Sequence, residues 1–448
     1  MENCISHMVL AFFTLNKEHL SNTASISILP SSIQGTLRVP PSKSMTQRLC
    51  AAALLHRGTT NIHQPGNTDD DQAALRIICD LGAHITLMNE KFWRIDSDGV
   101  KPIHNTIFCG ESGLSARLFT TLAALSSQPI TLTGMGSLLH RPMGDLLHIL
   151  QSLQVRTTDT QGCLPITVQG PLSIQDVTID ASLSSQFLSG LLFAYAFAAT
   201  KEVVITVNEL VSIPYIDLTL DVLKEFGRKV RHDQYHRFVI TPVTTTLKEV
   251  VVTPEADWSS AAYWLVAAAI NGAVRLEGLQ MKSSQGDRAI LDIVRGCGGK
   301  VEVMNDALLV NTATAHLTAF EYDATHTPDL FPILAILATA CKGMSVIQGI
   351  HRLSHKESNR IQSITEMLHA FGVPFTIASN ALQIEGVTAL KAANINTHHD
   401  HRIAMAASIG ALRAAGVVTI DDAACVSKSY PAFFEHLRSL GVNTTSVL

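Results

Sequence analysis

The densest polar stretch of the chain runs from His351 to Arg360. It holds Lys356, Asn359 and Arg360 at a spacing that would place them on one face of a helix, with Glu357 beside the lysine. A carboxylate next to fixed cations can exchange a proton with a bound anion. Taken alone, the stretch is better explained by a solvated, salt-bridged helix start, and only further basic helix starts make a site the stronger interpretation.

Other basic residues also stand where a helix is expected to begin. Arg141 lies in an H-R-P sequence, Arg402 in H-D-H-R, Lys428 in K-S-Y-P and Lys43 in S-K-S. The guanidinium fork suits two-point contacts with phosphate and carboxylate, and the lysine ammonium acts as a point charge. The repetition of this arrangement favours ligands that carry phosphate and carboxylate groups.

These residues belong to a repeat of about 72 residues. Six polar clusters each precede an apolar stretch of helical length, and their first polar residues are separated by 70, 72, 73, 72 and 71 positions. The six marker residues are Ser42, Ser112, Ser184, Asp257, Asp329 and Asp400. Ser and Asp at these positions are expected to cap the helices, and free amides at a helix start attract anions. The helices are apolar all round, which predicts that they are buried.

A second helix is expected in each repeat, usually ending at a glycine, with strand-like runs between the helices. Examples end at Gly82, Gly227, Gly372 and Gly441. Glycine is typical there because the residue that ends a helix often has a left-handed backbone conformation. Each repeat therefore contains two helices and several short strands. The fold class is α/β, with six repeats that are longer than those of open solenoids.

Composition excludes several classes of protein. The chain has 448 residues, 46% apolar and 16% charged, with a net charge of −5, which argues against a nucleic-acid partner or an anionic membrane. Eight scattered cysteines without C-x-x-C spacing predict reduced thiols. The apolar run Met8–Leu15 is too short for a membrane span and lacks the features of a signal peptide, so we expect a cytoplasmic protein. Residues 1–25 are an extension without an assigned role.

Eight segments in order, from about Ile33 to the C-terminus, resemble the 5-enolpyruvylshikimate-3-phosphate synthase family. They are PSKSMTQR, GESG, RPMGDL, SSQF, SIPYIDLTL, HKESNR, DHRIAMA and KSYPAFF. The resemblance implies a two-domain inside-out α/β barrel of six repeated units, with helices buried and sheets outside. It also implies one domain at 42–254 and another at 1–41 plus 255–448, with the active site in the cleft between them.

The resemblance implies an activity and its ligands. The enolpyruvyl group of phosphoenolpyruvate would pass to the 5-hydroxyl of shikimate 3-phosphate, with release of phosphate and without a metal or organic cofactor. We expect a monomer that binds these two small molecules. The histidines at 398, 399 and 401 are expected to be polar surface or supporting groups and not a metal site.

The resemblance also assigns the site residues. Those implied for shikimate 3-phosphate are Lys43, Ser44, Arg48, Ser184, Ser185, Gln186, Ser212, Tyr215, Asp329 and Lys356. Those implied for phosphoenolpyruvate are Lys43, Gly113, Arg141, Gln186, Arg360, Arg402 and Lys428. Asp329 is the candidate that deprotonates the 5-hydroxyl, Glu357 the candidate that protonates the methylene carbon, and Lys43 a third candidate for proton transfer.

Six residues depart from the family's pattern, among them Pro41, Ser112 and Leu114. Glu111 stands close to Gly113 where the family usually has Asn, Arg352 stands where it has Asn, and Asn359 replaces a common Asp before Arg360. The first of these adds negative charge near the expected phosphoenolpyruvate site. Inhibitor sensitivity is therefore not carried over from the family.

Two alternatives remain. One is the sister enolpyruvyl transferase that acts on UDP-N-acetylglucosamine, but the loop from Gly134 to His140 lacks the cysteine typical of that family. The other is a non-catalytic anion-binding relative, which the retention of both Asp329 and Glu357 disfavours.

Overall fold

The computed structural model of the protein describes residues 25–89, 91–244, 247–304, 307–312, 316–354 and 356–447. The described chain divides into a first unit, residues 41–254, and a second unit, residues 25–40 with 255–447. Positions 1–24, which make up nearly all of the N-terminal extension, and His355 of the H-K-E-S-N-R segment lie outside the described residues.

Twelve α-helices lie in the described part of the chain. They are α1 Lys43–Leu55, α2 Asp69–Asp80, α3 Gly113–Ala123, α4 Gly144–Ser152, α5 Ser185–Ala198, α6 Pro214–Glu225, α7 Trp258–Asn271, α8 Ile290–Gly296, α9 Phe331–Ala340, α10 Arg360–Ala370, α11 His401–Ala411 and α12 Phe433–Ser439. None of these helices is long and apolar enough to cross a bilayer.

The strands are numbered in chain order. The first fourteen are β1 Ser25–Ile28, β2 Ile33–Arg38, β3 Gly58–His63, β4 His84–Asn89, β5 Phe92–Ser97, β6 Thr106–Phe108, β7 Ile130–Thr133, β8 Arg156–Thr160, β9 Cys163–Gln169, β10 Val177–Asp180, β11 Val203–Asn208, β12 Lys229–Asp233, β13 Arg237–Thr241 and β14 Glu249–Val252. The others are β15 Gly272–Glu277, β16 Lys300–Val303, β17 Ala307–Asn311, β18 Glu321–Asp323, β19 Met344–Gln348, β20 Phe375–Ala378, β21 Ala381–Glu385, β22 Ala393–Ile395, β23 Val418–Ile420 and β24 Thr444–Val447.

These strands form six four-stranded sheets with one topology. In each sheet one parallel pair is followed by two antiparallel pairings. The sheet orders in the first unit are β14-β3-β5-β4, β6-β7-β9-β8 and β10-β11-β13-β12. Those in the second unit are β16-β17-β15-β2, β18-β19-β21-β20 and β22-β23-β1-β24. In four sheets the parallel pair directly flanks a buried helix, as in a βαβ unit: β6-α3-β7, β10-α5-β11, β18-α9-β19 and β22-α11-β23. In the other two sheets the helix and the pair are separated along the chain, since residues 41–254 stand between β2 and α7-β15, and β14 pairs with β3 from the far end of the first unit.

The chain order of these repeats explains why one unit is discontinuous. Strand β2 opens the fourth repeat, yet the helix that should follow it, α7, begins only at Trp258. The whole first unit is thus inserted between β2 and α7. The two ends of the insertion meet within the second unit, where the Asp257 amide donates to the Pro40 carbonyl over 2.8 Å.

The first helix of each repeat is buried, as its apolar sequence predicts. All eleven residues of α3 and all eleven of α11 are buried. The strands instead alternate between covered and exposed positions, as in β9, so each sheet covers the helices with one face. Each unit has its own apolar core. The predicted α/β class is confirmed, and the inside-out barrel stays a prediction.

Five of the six marker residues cap a helix as predicted. The side chains of Ser42, Ser112, Ser184, Asp257 and Asp400 each accept a hydrogen bond from a backbone amide in the first turn. The prediction is wrong for Asp329. A 3₁₀ turn, Pro328–Leu330, precedes α9, and the carboxylate of Asp329 is bound by arginine side chains instead.

The glycines after the outer helices have the predicted role. Gly82 follows α2 with φ +107°, and a Cβ atom there would lie 2.2 Å from the Lys101 carbonyl oxygen. Any other residue would meet both a strained backbone and a clash. The same left-handed conformation ends α6, α10 and α12 at their glycines.

Candidate functional site

Arg360 organises a cluster of charged side chains in the second unit. Its side chain is fully buried. Its Nε donates to Asp400 Oδ2 over 2.8 Å, its Nη1 to Asp329 Oδ1 over 2.8 Å and its Nη2 to Glu357 Oε2 over 2.5 Å. One guanidinium therefore fixes three carboxylates, including both candidate acid–base residues. We call the set Asp329, Lys356, Glu357, Arg360, Asp400 and Arg402 the Arg360 cluster.

Asp329 receives two further cations. Arg402 Nη2 donates to Asp329 Oδ2 over 2.8 Å, and Lys356 Nζ lies 3.9 Å from Asp329 Oδ1. The carboxylate is still 21% exposed, so a ligand can reach it. The arrangement concentrates three positive charges around one carboxylate.

The charges of the cluster shift its proton affinities. Burial works against ionisation of Asp329, but the neighbouring cations, Arg402 foremost, outweigh burial and hold its pKa well below the usual range. Burial lowers the pKa of Lys356 to about 8, although the charge of Asp329 raises it in part. Without ligand, Asp329 is therefore a weak base, and Lys356 loses its proton at mildly alkaline pH.

The local structure around Lys356 differs from the predicted one. Helix α10 begins at Arg360, so Lys356 and Glu357 precede it and do not share a helical face with Arg360. The Arg360 amide bonds the Leu353 carbonyl over 3.2 Å, and Ser358 Oγ donates to Asp400 Oδ2 over 3.1 Å. Tertiary contacts with Asp400, rather than helical spacing, bring these side chains together.

Lys428 is buried, with 6% of its surface exposed. It ends a 3₁₀ turn, Ala423–Lys428, that packs against α11, the helix that carries Arg402. The structure thus places Lys428 next to the helix that supplies part of the Arg360 cluster.

The nearby histidines have carboxylate partners. His398 Nε2 lies 2.6 Å from Glu366 Oε2, and His399 Nδ1 lies 2.6 Å from Asp422 Oδ2. No group of three His, Cys, Asp or Glu side chains that could hold a metal ion occurs within the described residues. The expectation that these histidines bind no metal stays a prediction.

In the first unit, Lys43 has a partner that the sequence reasoning missed. Its Nζ donates to Asp70 Oδ2 over 2.9 Å, and both side chains are largely buried. Asp70 lies in the first turn of α2, within the D-D-D run at 69–71. An acidic run in a chain with few charges was the signal available for this pairing.

Arg48 bonds two other residues predicted for shikimate 3-phosphate, Ser44 and Tyr215. It is 1% exposed, and it donates from Nη1 to the Ser44 carbonyl over 2.8 Å and from Nη2 to the Tyr215 carbonyl over 3.2 Å. Its Nε donates to Thr219 Oγ1 over 2.9 Å. Arg48 thus ties the start of α1 to the start of α6, where Ser212 lies buried with φ +54°.

A second group in the first unit gathers around Gly113. A Cβ atom there would lie 2.6 Å from Arg141 Nη1 and 3.2 Å from Arg117 Nη1, so the absence of a side chain leaves room for both guanidiniums. Arg117 Nη1 donates to Gln186 Oε1 over 2.9 Å. Gly113, Arg141 and Gln186 are therefore together, and Arg117 is a member that the sequence reasoning missed, although it stands alone as a charge on an apolar helix.

The start of α5 completes this group. The Ser184 hydroxyl accepts from the Gln186 amide over 3.2 Å, and Ser185 is buried beside it. Glu111, one of the residues that depart from the family's pattern, lies against Gly136. A Cβ atom at Gly136 would lie 2.2 Å from Glu111 Oε1. Its extra charge thus lies against the loop that leads to Arg141.

These arrangements suit anionic ligands. Each unit contains buried guanidiniums next to capped helix starts, which can bind phosphate and carboxylate groups. The second unit adds two carboxylates and an ammonium with a lowered pKa, which can move protons.

The sequence matches a family model described as EPSP synthase (3-phosphoshikimate 1-carboxyvinyltransferase) over residues 29–437. A protein of Clostridium kluyveri named 3-phosphoshikimate 1-carboxyvinyltransferase is 34% identical over 416 residues, which cover 93% of this chain and 97% of that protein. One of the same name from Methanocorpusculum labreanum is 34% identical over 418 residues, covering 92% and 97%.

Solved structures agree. The EPSP synthase of Acinetobacter baumannii superimposes with a TM-score of 0.81 at 26% identity, covering 95% of this chain and 100% of that one. The enolpyruvyl transferase NikO of Streptomyces tendae shares the fold, with a TM-score of 0.77 at 17% identity over 95% and 99% of the two chains. The resemblance inferred from eight short segments is confirmed over nearly the whole sequence, and the chain belongs to the EPSP synthase family.

Proposed function

We propose that this chain transfers the enolpyruvyl group of phosphoenolpyruvate to the 5-hydroxyl of shikimate 3-phosphate and releases phosphate. Family membership and the name shared by its relatives support this reaction. The observation that carries it for this chain is the Arg360 cluster, in which Arg360 binds both Asp329 and Glu357. A protein that only binds anions has no need for two carboxylates held among its cations.

Shikimate 3-phosphate is assigned to the group tied together by Arg48 and to the start of α5. The proposed contacts are Lys43, Ser44, Arg48, Ser184, Ser185, Gln186, Ser212, Tyr215, Asp329 and Lys356. The support is that Arg48 links Ser44 and Tyr215, and that the Ser184 turn presents backbone amides to an anion.

Phosphoenolpyruvate is assigned to the arginines and lysines of both units. The proposed contacts are Lys43, Gly113, Arg141, Gln186, Arg360, Arg402 and Lys428. The support in the first unit is that Gly113, which has no side chain, lets the Arg141 guanidinium lie against the start of α3. The support in the second unit is that Arg402 donates to the partly exposed carboxylate of Asp329. An incoming anion can replace that carboxylate as the partner of Arg402.

Binding of phosphoenolpyruvate would activate Asp329. In the ligand-free protein Arg402 and Arg360 hold the pKa of Asp329 low, which makes it a weak base. A ligand carboxylate or phosphate that takes over these guanidiniums neutralises their charge and raises the proton affinity of Asp329. Asp329 would then accept the proton of the 5-hydroxyl, with Lys356 contacting the same hydroxyl.

Glu357 would supply the proton to the methylene carbon. Protonation leaves an oxocarbenium-like carbon that the 5-hydroxyl oxygen attacks, giving a tetrahedral ketal phosphate. Removal of a proton from the new methyl group, as phosphate leaves, restores the double bond. One acid and one base that exchange roles are sufficient, and Lys43 is a further candidate for these transfers.

Several finer points belong to the same proposal. Both units, with domains at 42–254 and at 1–41 plus 255–448, would contribute to one reaction on one pair of substrates. The chain would act as a monomer in the cytoplasm, without a metal or organic cofactor. The scattered cysteines of the sequence are typical of a reducing compartment, which supports that location.

The test is to incubate the purified protein with phosphoenolpyruvate and shikimate 3-phosphate and to measure phosphate release and the enolpyruvyl ether product. We expect both only when both substrates are present, and unchanged activity after treatment with a chelator. Activity with UDP-N-acetylglucosamine in place of shikimate 3-phosphate would assign the sister reaction. Ligand binding without phosphate release would identify a non-catalytic relative.

A further inference from the structure

Asp287 is a buried carboxyl group next to the Arg360 cluster that the proposed mechanism does not use. It lies in a 3₁₀ turn, Gly286–Ala289, and only 3% of its surface is exposed. Its Oδ2 accepts from Ser259 Oγ over 2.5 Å, at the start of α7. Gln285, just before the turn, binds the Trp258 amide and the Ala256 carbonyl, so the turn is firmly attached to α7.

The second oxygen of Asp287 is unusual. Oδ1 is buried without a hydrogen-bond partner among the described residues. A buried carboxylate with an oxygen left unpaired is costly, so the neutral form is favoured. Burial raises the pKa of Asp287 to about 7, and the charge of Asp329 adds to the effect of burial, while Arg402 opposes it.

Asp287 faces titratable groups from four other elements. They are Asp257 at the start of α7, Tyr322 on β18, Asp329 in the turn before α9 and Arg402 on α11. Helix α7 also reaches α11 directly, because the Tyr263 hydroxyl bonds the Arg402 carbonyl over 3.4 Å. The carboxyl group of Asp287 is thus placed to act on a proposed ligand through Arg402 and Asp329.

We infer that Asp287 is a positioning residue that sets the net charge around Arg402 and Asp329, and so controls how strongly this part of the site holds phosphoenolpyruvate. When Asp287 is neutral, Arg402 has one opposing carboxylate fewer and attracts the anion more strongly. When Asp287 is ionised, its negative charge weakens that attraction. This inference rests on the proposed function, since it assigns the anion at Arg402 to phosphoenolpyruvate.

The test compares Asp287→Asn with the parent enzyme through kcat/KM for phosphoenolpyruvate at saturating shikimate 3-phosphate, between pH 6 and 9. Asn resembles the neutral acid in size and hydrogen bonding and cannot ionise. We expect the ratio of variant to parent kcat/KM to be near one at pH 6 and to rise about three- to tenfold by pH 8.5. The exposed Asp292→Asn change on α8 is the matched control, and its ratio should stay flat.

A second variant keeps the inference testable if Asp287→Asn does not fold. The Ser259 hydroxyl stabilises the ionised form of Asp287, so Ser259→Ala should raise the proton affinity of Asp287. In the parent, ionisation of Asp287 should lower kcat/KM for phosphoenolpyruvate as pH rises, and in Ser259→Ala this decrease should occur at higher pH. A flat ratio for Asp287→Asn, or an unmoved profile for Ser259→Ala in an active enzyme, would overturn the inference. Absence of product from the parent enzyme would instead contradict the proposed function.

Discussion

The Nη2 atom of Arg360 lies 2.5 Å from Oε2 of Glu357, and the guanidinium that makes this contact is completely buried. A buried arginine has little freedom, so it holds the Glu357 carboxylate in one place. The glutamate itself is 14% exposed, which leaves it open to a ligand. A fixed and accessible carboxylate is what a general acid or base requires.

Glu357→Gln separates chemistry from binding at this position. Glutamine keeps the size of the side chain and can still accept from Arg360, but it cannot exchange the proton. We expect both substrates to bind within a few-fold of the parent, with kcat reduced about 10²- to 10⁴-fold. Transfer of solvent hydrogen into the methylene of phosphoenolpyruvate should fall in parallel.

The control for this change is Glu366→Gln on α10, where the glutamate is 47% exposed and pairs with His398. That variant should keep the parent kcat. Near-normal turnover of Glu357→Gln would show that Glu357 only orients Arg360, and the acid would then be sought at Lys43 or Asp329.

Arg48→Ala should affect one substrate far more than the other. It removes the bonds that hold the Ser44 and Tyr215 segments, so affinity for shikimate 3-phosphate, measured by calorimetry, should fall at least about tenfold. The KM for phosphoenolpyruvate should change less than about threefold. Because a buried side chain is lost, the free energy of unfolding should also fall by roughly 2–4 kcal/mol.

Arg228→Ala distinguishes these two effects of the Arg48 change. Arg228 is a half-buried arginine of the same unit that stacks 4.1 Å over the Phe197 ring, and no ligand role is proposed for it. It should destabilise the protein without selective loss of shikimate 3-phosphate affinity. Equal losses for both substrates in Arg48→Ala would contradict the assignment.

The lowered pKa of Lys356 predicts that activity falls at alkaline pH. Its pKa of about 8 means that its positive charge is present at pH 7 and is lost as pH rises through 8. We expect kcat/KM for shikimate 3-phosphate to fall above pH 8 and this fall to move upward by more than about one pH unit in Lys356→Arg, since arginine stays charged. Lys342→Arg, at an exposed position, is the control. A parent profile that stays flat to pH 9.5 would exclude this role.

Asp71 predicts a pH dependence of stability. Its Oδ2 accepts from the Thr68 amide and hydroxyl, yet Oδ1 has no partner within the described chain, and burial raises the pKa of Asp71 to about 7. The folded protein then holds this proton more tightly than the unfolded chain does. Its contribution to stability is greatest below about pH 4 and is lost as pH rises to about 7, a change of roughly 4 kcal/mol.

Asp71→Asn removes that dependence, because asparagine does not ionise. Urea unfolding at several pH values from 4 to 8 should show the parent losing more free energy of unfolding than the variant as pH rises. The neighbouring Asp69→Asn, exposed in the same helical turn, is the control and should follow the parent. Parallel pH curves for Asp71→Asn and the parent would show that Asp71 is ionised in the folded protein.

The repeat pattern and its helix starts could be predicted from the sequence because they depend on neighbours in the chain. Ser42 and Ser112 each accept from an amide three residues further on, so a local pattern is sufficient to place them. The error at Asp329 has the opposite cause. Its partners are Arg360 and Arg402, 31 and 73 residues away. The Asp329 carboxylate accepts from these guanidiniums and therefore does not accept from the backbone amides at the helix start.

The sequence also led to the wrong prediction that Lys356 lies in the same helix as Arg360. The two residues are four positions apart, and that spacing alone does not distinguish a helix from an irregular segment. It missed Asp70 and Arg117, whose roles depend on which side chains face them. Asp70 meets Lys43 from the next helix, and Arg117 meets Gln186 across 69 residues. No periodicity in the chain encodes such a pairing.

The sequence by itself determined the six repeats, the α/β class and the family, because caps, apolar periodicity and short motifs are properties of adjacent residues. The tertiary structure decided which charges meet. Arg360 joins Asp329, Glu357 and Asp400 because α9, α10 and α11 of the second unit pack against one another. Charge pairing depends on distances of a few ångströms in space, and those distances are set by packing and not by separation along the chain.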